Sequence, residues 1–283
     1  MNVLSIQSSV AYGHVGNSAA VFPLQRLGFS VWPVSTVLFS NHTGYGDWRG
    51  TVVPAGEVAE VIRGVEDRGV LGECDAVLSG YLGDASLGRV VLDAVARTKA
   101  ANARAVYCCD PVMGDVGRGF FVRPGIPEFV RDHAVPAADI VTPNHFELEF
   151  LSGVAVRSLS DALDATDLIQ AMGPDLVLTT SLRREGAPEG VVGMLAVSGD
   201  GAWLVETPLL PLEVNGAGDA VCAIFLAHLL RNGDAAGALS RAASSVYAVM
   251  EATLRYKARE IRLVEAQDAI ADPPDRFPAV RVR

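Results

Sequence analysis

Short apolar runs alternate along this chain with longer stretches of mixed polarity. Residues 3–6, Val-Leu-Ser-Ile, end in polar Gln7-Ser8-Ser9, pass through a glycine-bearing stretch to Gly16 and reach an apolar segment at 19–27. That order predicts strand, loop, helix. Pro23 stands inside the helical segment, where it removes a hydrogen bond, so the pattern predicts a kink or a helix that begins nearer the proline. The theme then recurs. Strands are predicted at 31–37, 76–78, 105–109, 140–141 and 176–178, and helices at 55–68, 87–101, 126–133 and 161–172.

Alternation of this kind predicts an α/β fold: a mainly parallel central sheet flanked by helices on both faces. Residues 191–197 and 202–205 flank Ser198-Gly199-Asp200-Gly201 and predict an antiparallel hairpin. Two long helices follow at 216–230 and 235–254, rich in small residues that permit close packing. No repeat, linker or low-complexity tract interrupts the pattern, so residues 1–283 are read as one domain. The Pro- and Arg-bearing end, 273–283, is read as a loosely docked tail.

Half of the residues are hydrophobic, enough for a substantial core. Lys and Arg total 23 against 33 Asp and Glu, a formal charge of -10, which excludes generic attraction to nucleic acid or anionic lipid. A polyanionic ligand therefore needs local help from backbone amides, a helix N-terminus and a divalent cation. The first residues lack the basic segment and apolar run of a signal peptide, and no stretch of about 20 apolar residues follows, so the expectation is a cytoplasmic protein without a membrane span. Cys74, Cys108, Cys109 and Cys222 show no metal-type spacing and read as reduced core thiols, with Cys108 and Cys109 on opposite faces of a strand.

In an open parallel sheet, ligands bind at the carboxyl ends of the strands. The residues just past each apolar run are Ser8, Asn41-His42-Thr43, Gly80-Tyr81, Asp110, Asn144 with Glu147, and Thr179-Thr180. The strongest motif is Asn215-Gly216-Ala217-Gly218-Asp219, which runs directly into an apolar helical segment. Glycines there let several amides at a helix N-terminus face one point, a geometry suited to the charge on a transferring phosphoryl group. Asp219 is equally readable as an N-cap or as a catalyst. Asp110, before Pro111, is either a turn-forming cap or a group that faces phosphates through a cation. Asn144 and Glu147 have the spacing of a capping box. His42 and His145 read as hydrogen-bonding loop residues, and Tyr81 as a partly buried tyrosine able to cover a flat ring.

Together and in this order, these positions resemble the ribokinase superfamily, and within it the pyridoxal kinases, particularly the bacterial pyridoxamine/pyridoxal kinase branch. The resemblance covers essentially the whole chain. It is carried by Ile6-Gln7-Ser8, Tyr12-Gly13-His14, Gly16-Asn17-Ser18-Ala19-Ala20, Phe39-Ser40-Asn41-His42-Thr43, Leu78-Ser79-Gly80-Tyr81-Leu82-Gly83 and Asp110-Pro111-Val112-Met113-Gly114, with Gly216-Ala217-Gly218-Asp219 as the broader superfamily signature. It implies a ribokinase-like fold and ATP-dependent phosphorylation of the hydroxymethyl group of pyridoxal, pyridoxamine or pyridoxine in vitamin B6 salvage. Ser8 would hydrogen-bond the pyridine ring, Thr43 and Gly44 line the vitamer pocket, and Tyr81 pack against the ring.

The resemblance also implies Asp219 as base beside an anion hole at Gly216, Ala217 and Gly218. Asp110, Thr142 and Glu147 would lie near the ATP phosphates and a magnesium ion, which Asp110 and Glu147 would hold directly or through water. Thr180 would face ATP where close relatives carry a lysine, and Thr207, Pro208, Leu209 and Leu210 would lie near adenine. Potassium as a further cation and a homodimer complete the picture. The spelling Asn-Gly-Ala-Gly-Asp is nearer to sugar kinases, which keeps a hydroxymethylpyrimidine or sugar kinase open, and Thr180 keeps a non-catalytic vitamer-binding protein open.

Overall fold

Residues 1–283 are described by a computed structural model, in which the first strand, β1 (Asn2–Val10), is buried over most of its length and leads to helix α1 (Asn17–Arg26). Next come β2 (Ser30–Phe39), the short β3 (Gly50–Val52), α2 (Ala55–Glu66), β4 (Cys74–Ser79), α3 (Ala85–Ala101) and β5 (Val106–Cys109). A small hairpin of β6 (Gly114–Asp115) and β7 (Gly119–Phe120) precedes α4 (Ile126–Phe129) and α5 (Val135–Ala137), which a π turn at Val130–Ala134 joins. β8 (Ile140–Val141), α6 (His145–Ser152), α7 (Leu159–Gln170) and β9 (Leu176–Leu182) complete the alternating part. The chain ends with β10 (Val191–Ser198), β11 (Gly201–Pro208), α8 (Ala217–Asn232), α9 (Ala235–Arg255), α10 (Gln267–Ala271) and β12 (Val280–Arg281).

Ten strands form one sheet in the order β12-β11-β10-β9-β8-β5-β4-β1-β2-β3. From β9 to β2 every neighbouring pair is parallel. Antiparallel strands extend both edges, β10 to β12 on one side and β3 on the other. The chain steps from β1 to β2 on one side and then to β4 on the other. Connectivity thus reverses at β1, and the carboxyl ends of β1 and β4 border the crevice that such a reversal opens.

Each face of the sheet has its own core. α1, α8, α9 and α10 cover one, with Ala20, Leu24, Phe225 and Leu239 fully buried. The other lies under α2, α3, α6 and α7, where Ile62, Leu87, Leu148 and Ile169 are buried. Cys108 faces the first and Cys109 the second, as period-two alternation requires. Alanines on α8 and α9 (Ala223, Ala227, Ala238 and Ala242) are buried between those helices and the sheet.

Of the two alternatives at Pro23, the helix holds the proline in its interior: α1 starts at Asn17 and does not begin near Pro23. Burial of Ala19, Ala20 and Leu24 in the core beneath α8 holds the helix despite the missing hydrogen bond. The C-terminal segment is firmly placed rather than loosely docked. β11 exposes an unpaired edge, and β12 completes it through Val280 opposite Leu204 and Arg281 opposite Trp203. Arg283 grips Asp167 with two hydrogen bonds of 2.8 and 2.7 Å, and Phe277 packs edge-on against Tyr247.

His228 on α8 is 4% exposed, and its Nε2 has no hydrogen-bond partner. Burial, with the charges of Arg241 and Arg231, pushes its pKa down to about 4. An unfolded histidine takes up a proton near pH 6.5. The unfolded state therefore binds more protons between about pH 6.5 and 4, and the fold loses stability as pH falls through that window. His228→Leu should reduce the drop in melting temperature between pH 8 and pH 5, measured by calorimetry beside the parent. An equal drop in both proteins would contradict the assignment, because other acid-sensitive groups act on both alike.

Candidate active site

Toward its carboxyl end β1 carries Ser8, which is 5% exposed and lines a cavity of about 250 Å³ at the carboxyl edge of the sheet. Buried Asn17 at the start of α1 fixes this end of the strand. Its amide donates to Gln7 O and Val34 O, and its carbonyl accepts from Ser5 Oγ at 2.7 Å. Gly16, at φ 53°, passes so close to Ser8 that a Cβ would run into both its carbonyl and its hydroxyl. From β2 comes the loop that brings Thr43 to the rim, and after β4 comes Tyr81, whose carbonyl accepts from Thr36 Oγ1 at 2.7 Å. At the mouth, Glu260 ties two loops together, accepting from His14 N–H at 3.1 Å and from Tyr45 O–H at 2.6 Å.

Directly after β5 comes Asp110, buried with Thr142, whose hydroxyl donates to Asp110 Oδ1 at 3.0 Å. Burial pushes the Asp110 carboxyl well above the usual range, and the negative charges of Asp219 and Glu147 add to the effect. Glu147, after β8, is buried too. Met113 and Gly114 amides donate to its Oε1 at 2.9 and 3.4 Å, and Asn144 N–H donates to its Oε2 at 2.9 Å. The expected capping box is present, since Asn144 Oδ1 accepts from Glu147 N–H at 3.0 Å. Burial raises Glu147 to about 8 against the pull of those amides.

The turn ahead of α8 crosses the same cavity. Gly216 has φ 86°, and a Cβ there would collide with His14 O, so only glycine lets the turn seat against that loop. No side chain caps α8, and the first intrahelical bond at this end is Ala220 N–H to Gly216 O at 3.0 Å. The amides of the first turn thus sit at the cavity with the positive end of the helix dipole. Asp219 is the third residue of the helix and lines the cavity, which removes its reading as the N-cap. Burial raises its pKa, while the amides of Gly16 and of Asp219 itself pull the other way.

Against known proteins, residues 34–263 match the family model described as phosphomethylpyrimidine kinase. Pyridoxal kinase PdxY of Rubrobacter xylanophilus is 66% identical over 283 residues, spanning 100% of this chain and 98% of that protein. The chain belongs to the pyridoxal kinases. Pyridoxal kinase PdxY of Pseudomonas aeruginosa is 44% identical across 99% of this chain and 98% of its own length. Pyridoxal kinase from Leishmania donovani, solved in complex with ADP and pyridoxamine, superposes with a TM-score of 0.93 at 29% identity, covering 100% of this chain and 99% of that one. The ribokinase-like architecture implied by the resemblance is the one observed.

In this pyridoxal kinase nearly all the residues singled out from the sequence converge. Ser8, Thr43, Tyr81, Asp110, Thr142, Glu147, Thr180 and the whole run from Gly216 to Asp219 line the larger cavity. Thr207, Pro208, Leu209 and Leu210 line an adjoining one of about 180 Å³, mostly apolar, which also touches Val221, Tyr247 and Met250. Thr180, Ala217 and Gly218 belong to both, so the turn stands at the junction. Gly44 does not line the cavity; its N–H is turned to His42 Nδ1 at 2.9 Å. Asn17, Asp115 and Asn215 stand in or beside motifs read from the sequence but had no role of their own there, and Glu260 and Arg118 were missed; all five line the cavity or hold its loops. Gly117 and Gly119 around Arg118 were the available signal for the hairpin.

Gly216→Ala tests the turn. A left-handed conformation without glycine costs about 1–3 kcal/mol, and the contact with His14 O adds to that, so the variant should melt lower and lose activity. A variant with the parent's melting temperature and turnover would show that the turn does not need glycine.

Proposed function

We propose that this kinase transfers the γ-phosphoryl group of ATP to the hydroxymethyl oxygen of pyridoxal or a close vitamin B6 relative, acting as a single domain over residues 1–283. The observation that carries the proposal is the uncapped turn of α8, with Asp219 on it, standing where the two cavities meet. In this reading the flat vitamer occupies the larger cavity between Ser8, Thr43 and Tyr81. Adenine fills the apolar cavity beside residues 207–210, and the phosphates run past Thr180 and Thr142 toward Ala217 and Gly218.

Asp219 takes the alcohol's proton as the new bond to phosphorus forms. A carboxylate with reference pKa about 3.9 is a weak base for an alcohol, and a loose transition state tolerates the mismatch because the proton leaves late. The raised pKa of Asp219 narrows the mismatch further. The amides of the first turn of α8 stabilise the charge on the moving group.

Magnesium, the implied cation, would neutralise phosphate charge when bound. Asp110 fits as its holder, with mutual repulsion among buried carboxylates that a cation relieves. Glu147 has both oxygens engaged by backbone amides and fits only an indirect role through water. Potassium as a further cation, a homodimer and a cytoplasmic location belong to the same reading. No helix is long and apolar enough to cross a membrane.

The match to a family described as phosphomethylpyrimidine kinase supports keeping the hydroxymethylpyrimidine expected from the sequence as the second candidate substrate. Turnover with ATP and magnesium across pyridoxal, pyridoxamine, pyridoxine and hydroxymethylpyrimidine decides between them, and ATP consumption itself separates catalysis from mere vitamer binding. Asp219→Asn should lower kcat by about 10²-fold or more while pyridoxal affinity stays nearly constant. An Asn variant with parental kcat would remove Asp219 from the role of base.

A further inference from the structure

Phosphoryl transfer brings more negative charge into a cavity already lined by Asp110, Asp115, Glu147 and Asp219. Magnesium offsets only part of that charge, and the hydroxyls of Thr142 and Thr180 are neutral. One permanent positive charge lines the cavity, the guanidinium of Arg118. The lysines of the chain, Lys99 and Lys257, lie elsewhere, and Lys99 is paired with Asp139. His42 is held toward its neutral form, first by burial and then by Arg118.

Arg118 sits at the tip of the β6–β7 hairpin, between Gly117 and Gly119, whose φ values of 80° and 68° make the turn tight. Its reach carries it across the cavity to Asn215, the residue directly before Gly216, where Nη1 donates to Oδ1 at 3.3 Å. That bond is long, neutral at the acceptor and exposed, so it is weak and readily exchanged. The Phe121 ring, 5.5 Å from Arg118 Cζ, steadies the side chain without neutralising it. Arg123 and Arg184, by contrast, are tied to carboxylates. A planar fork with no carboxylate partner, parked one residue from the open amides, matches the equatorial oxygens of a phosphoryl group.

We infer that Arg118 is a catalytic residue of phosphoryl transfer, exchanging Asn215 for oxygens of the phosphoryl group as it passes from ATP to the alcohol. The inference rests on the kinase reading above. In the step, the bond from the γ-phosphorus to the ADP oxygen breaks, the bond to the hydroxymethyl oxygen forms, and the alcohol's proton goes to Asp219. Arg118 makes no covalent change and binds the charge most strongly midway.

The test compares the parent with Arg118→Met and Arg118→Lys, measuring kcat, KM for ATP, pyridoxal affinity by absorbance titration, and melting temperature. Arg118→Met should lose about 10²-fold or more in kcat, with pyridoxal affinity within about threefold of the parent. Arg118→Lys should fall between them, and guanidinium ion at a sub-denaturing concentration should restore part of the Met variant's kcat. A Met variant with near-parental kcat overturns the inference, as does a loss confined to pyridoxal affinity or melting temperature, which would make Arg118 a strap for the hairpin. Absence of phosphorylated product with the parent itself would fell the transfer reading, and the role of Arg118 with it. That result is distinct because it appears before any substitution.

Discussion

Open main-chain N–H groups at the start of α8 are the feature on which the rest of the structure depends. The protein is acidic overall and brings four carboxylates to its main cavity, so a nucleotide's phosphates can dwell there only where positive potential is built in. Helix-end amides supply such potential without a titratable group. Those of Ala217 and Gly218 stay open because Gly216 turns left-handed beneath His14 O and, as a glycine, offers no side chain to cap the helix.

The scaffold keeps this turn aligned with the opposing acids. α8 is buried from Ala220 to His228, packed against α9, and Cys222, one turn past Asp219, lies with its sulfur 3.7 Å from that of Cys108 on β5. Two residues farther along β5's course stands Asp110. The proposed base and the group proposed to face the phosphates are therefore carried by two elements locked together in one core, while the loops after β2 and between β6 and β7 border the cavity from outside.

Much of this was legible from residues alone, for identifiable reasons. The parallel strands are short apolar runs bounded by polar residues, and the sheet rule then points to their carboxyl ends, which is how Ser8, Tyr81, Asp110 and Thr180 were found in separate parts of the chain. The capping box at Asn144 and Glu147 was readable because it is local. β3, β6, β7 and β12 were not, because strands of two or three residues carry no period to detect and exist only through their partners. Glu260 and the role of Asn17 escaped for a related reason: each acts through contacts that the fold alone creates, Glu260 with His14 and Tyr45 far earlier in the chain. Asp219 could be cap or catalyst on paper, and only the backbone of Gly216 separates the two.

A crystal structure with magnesium, ADP, aluminium fluoride and pyridoxal bound together would test the central claim most directly. The account predicts the fluoride group between ADP and the hydroxymethyl oxygen, within hydrogen-bonding distance of the amides that open α8, and an Asp219 oxygen beside that same hydroxymethyl group. A fluoride group held elsewhere, with those amides bonded to protein or solvent and Asp219 turned from the alcohol, would contradict it.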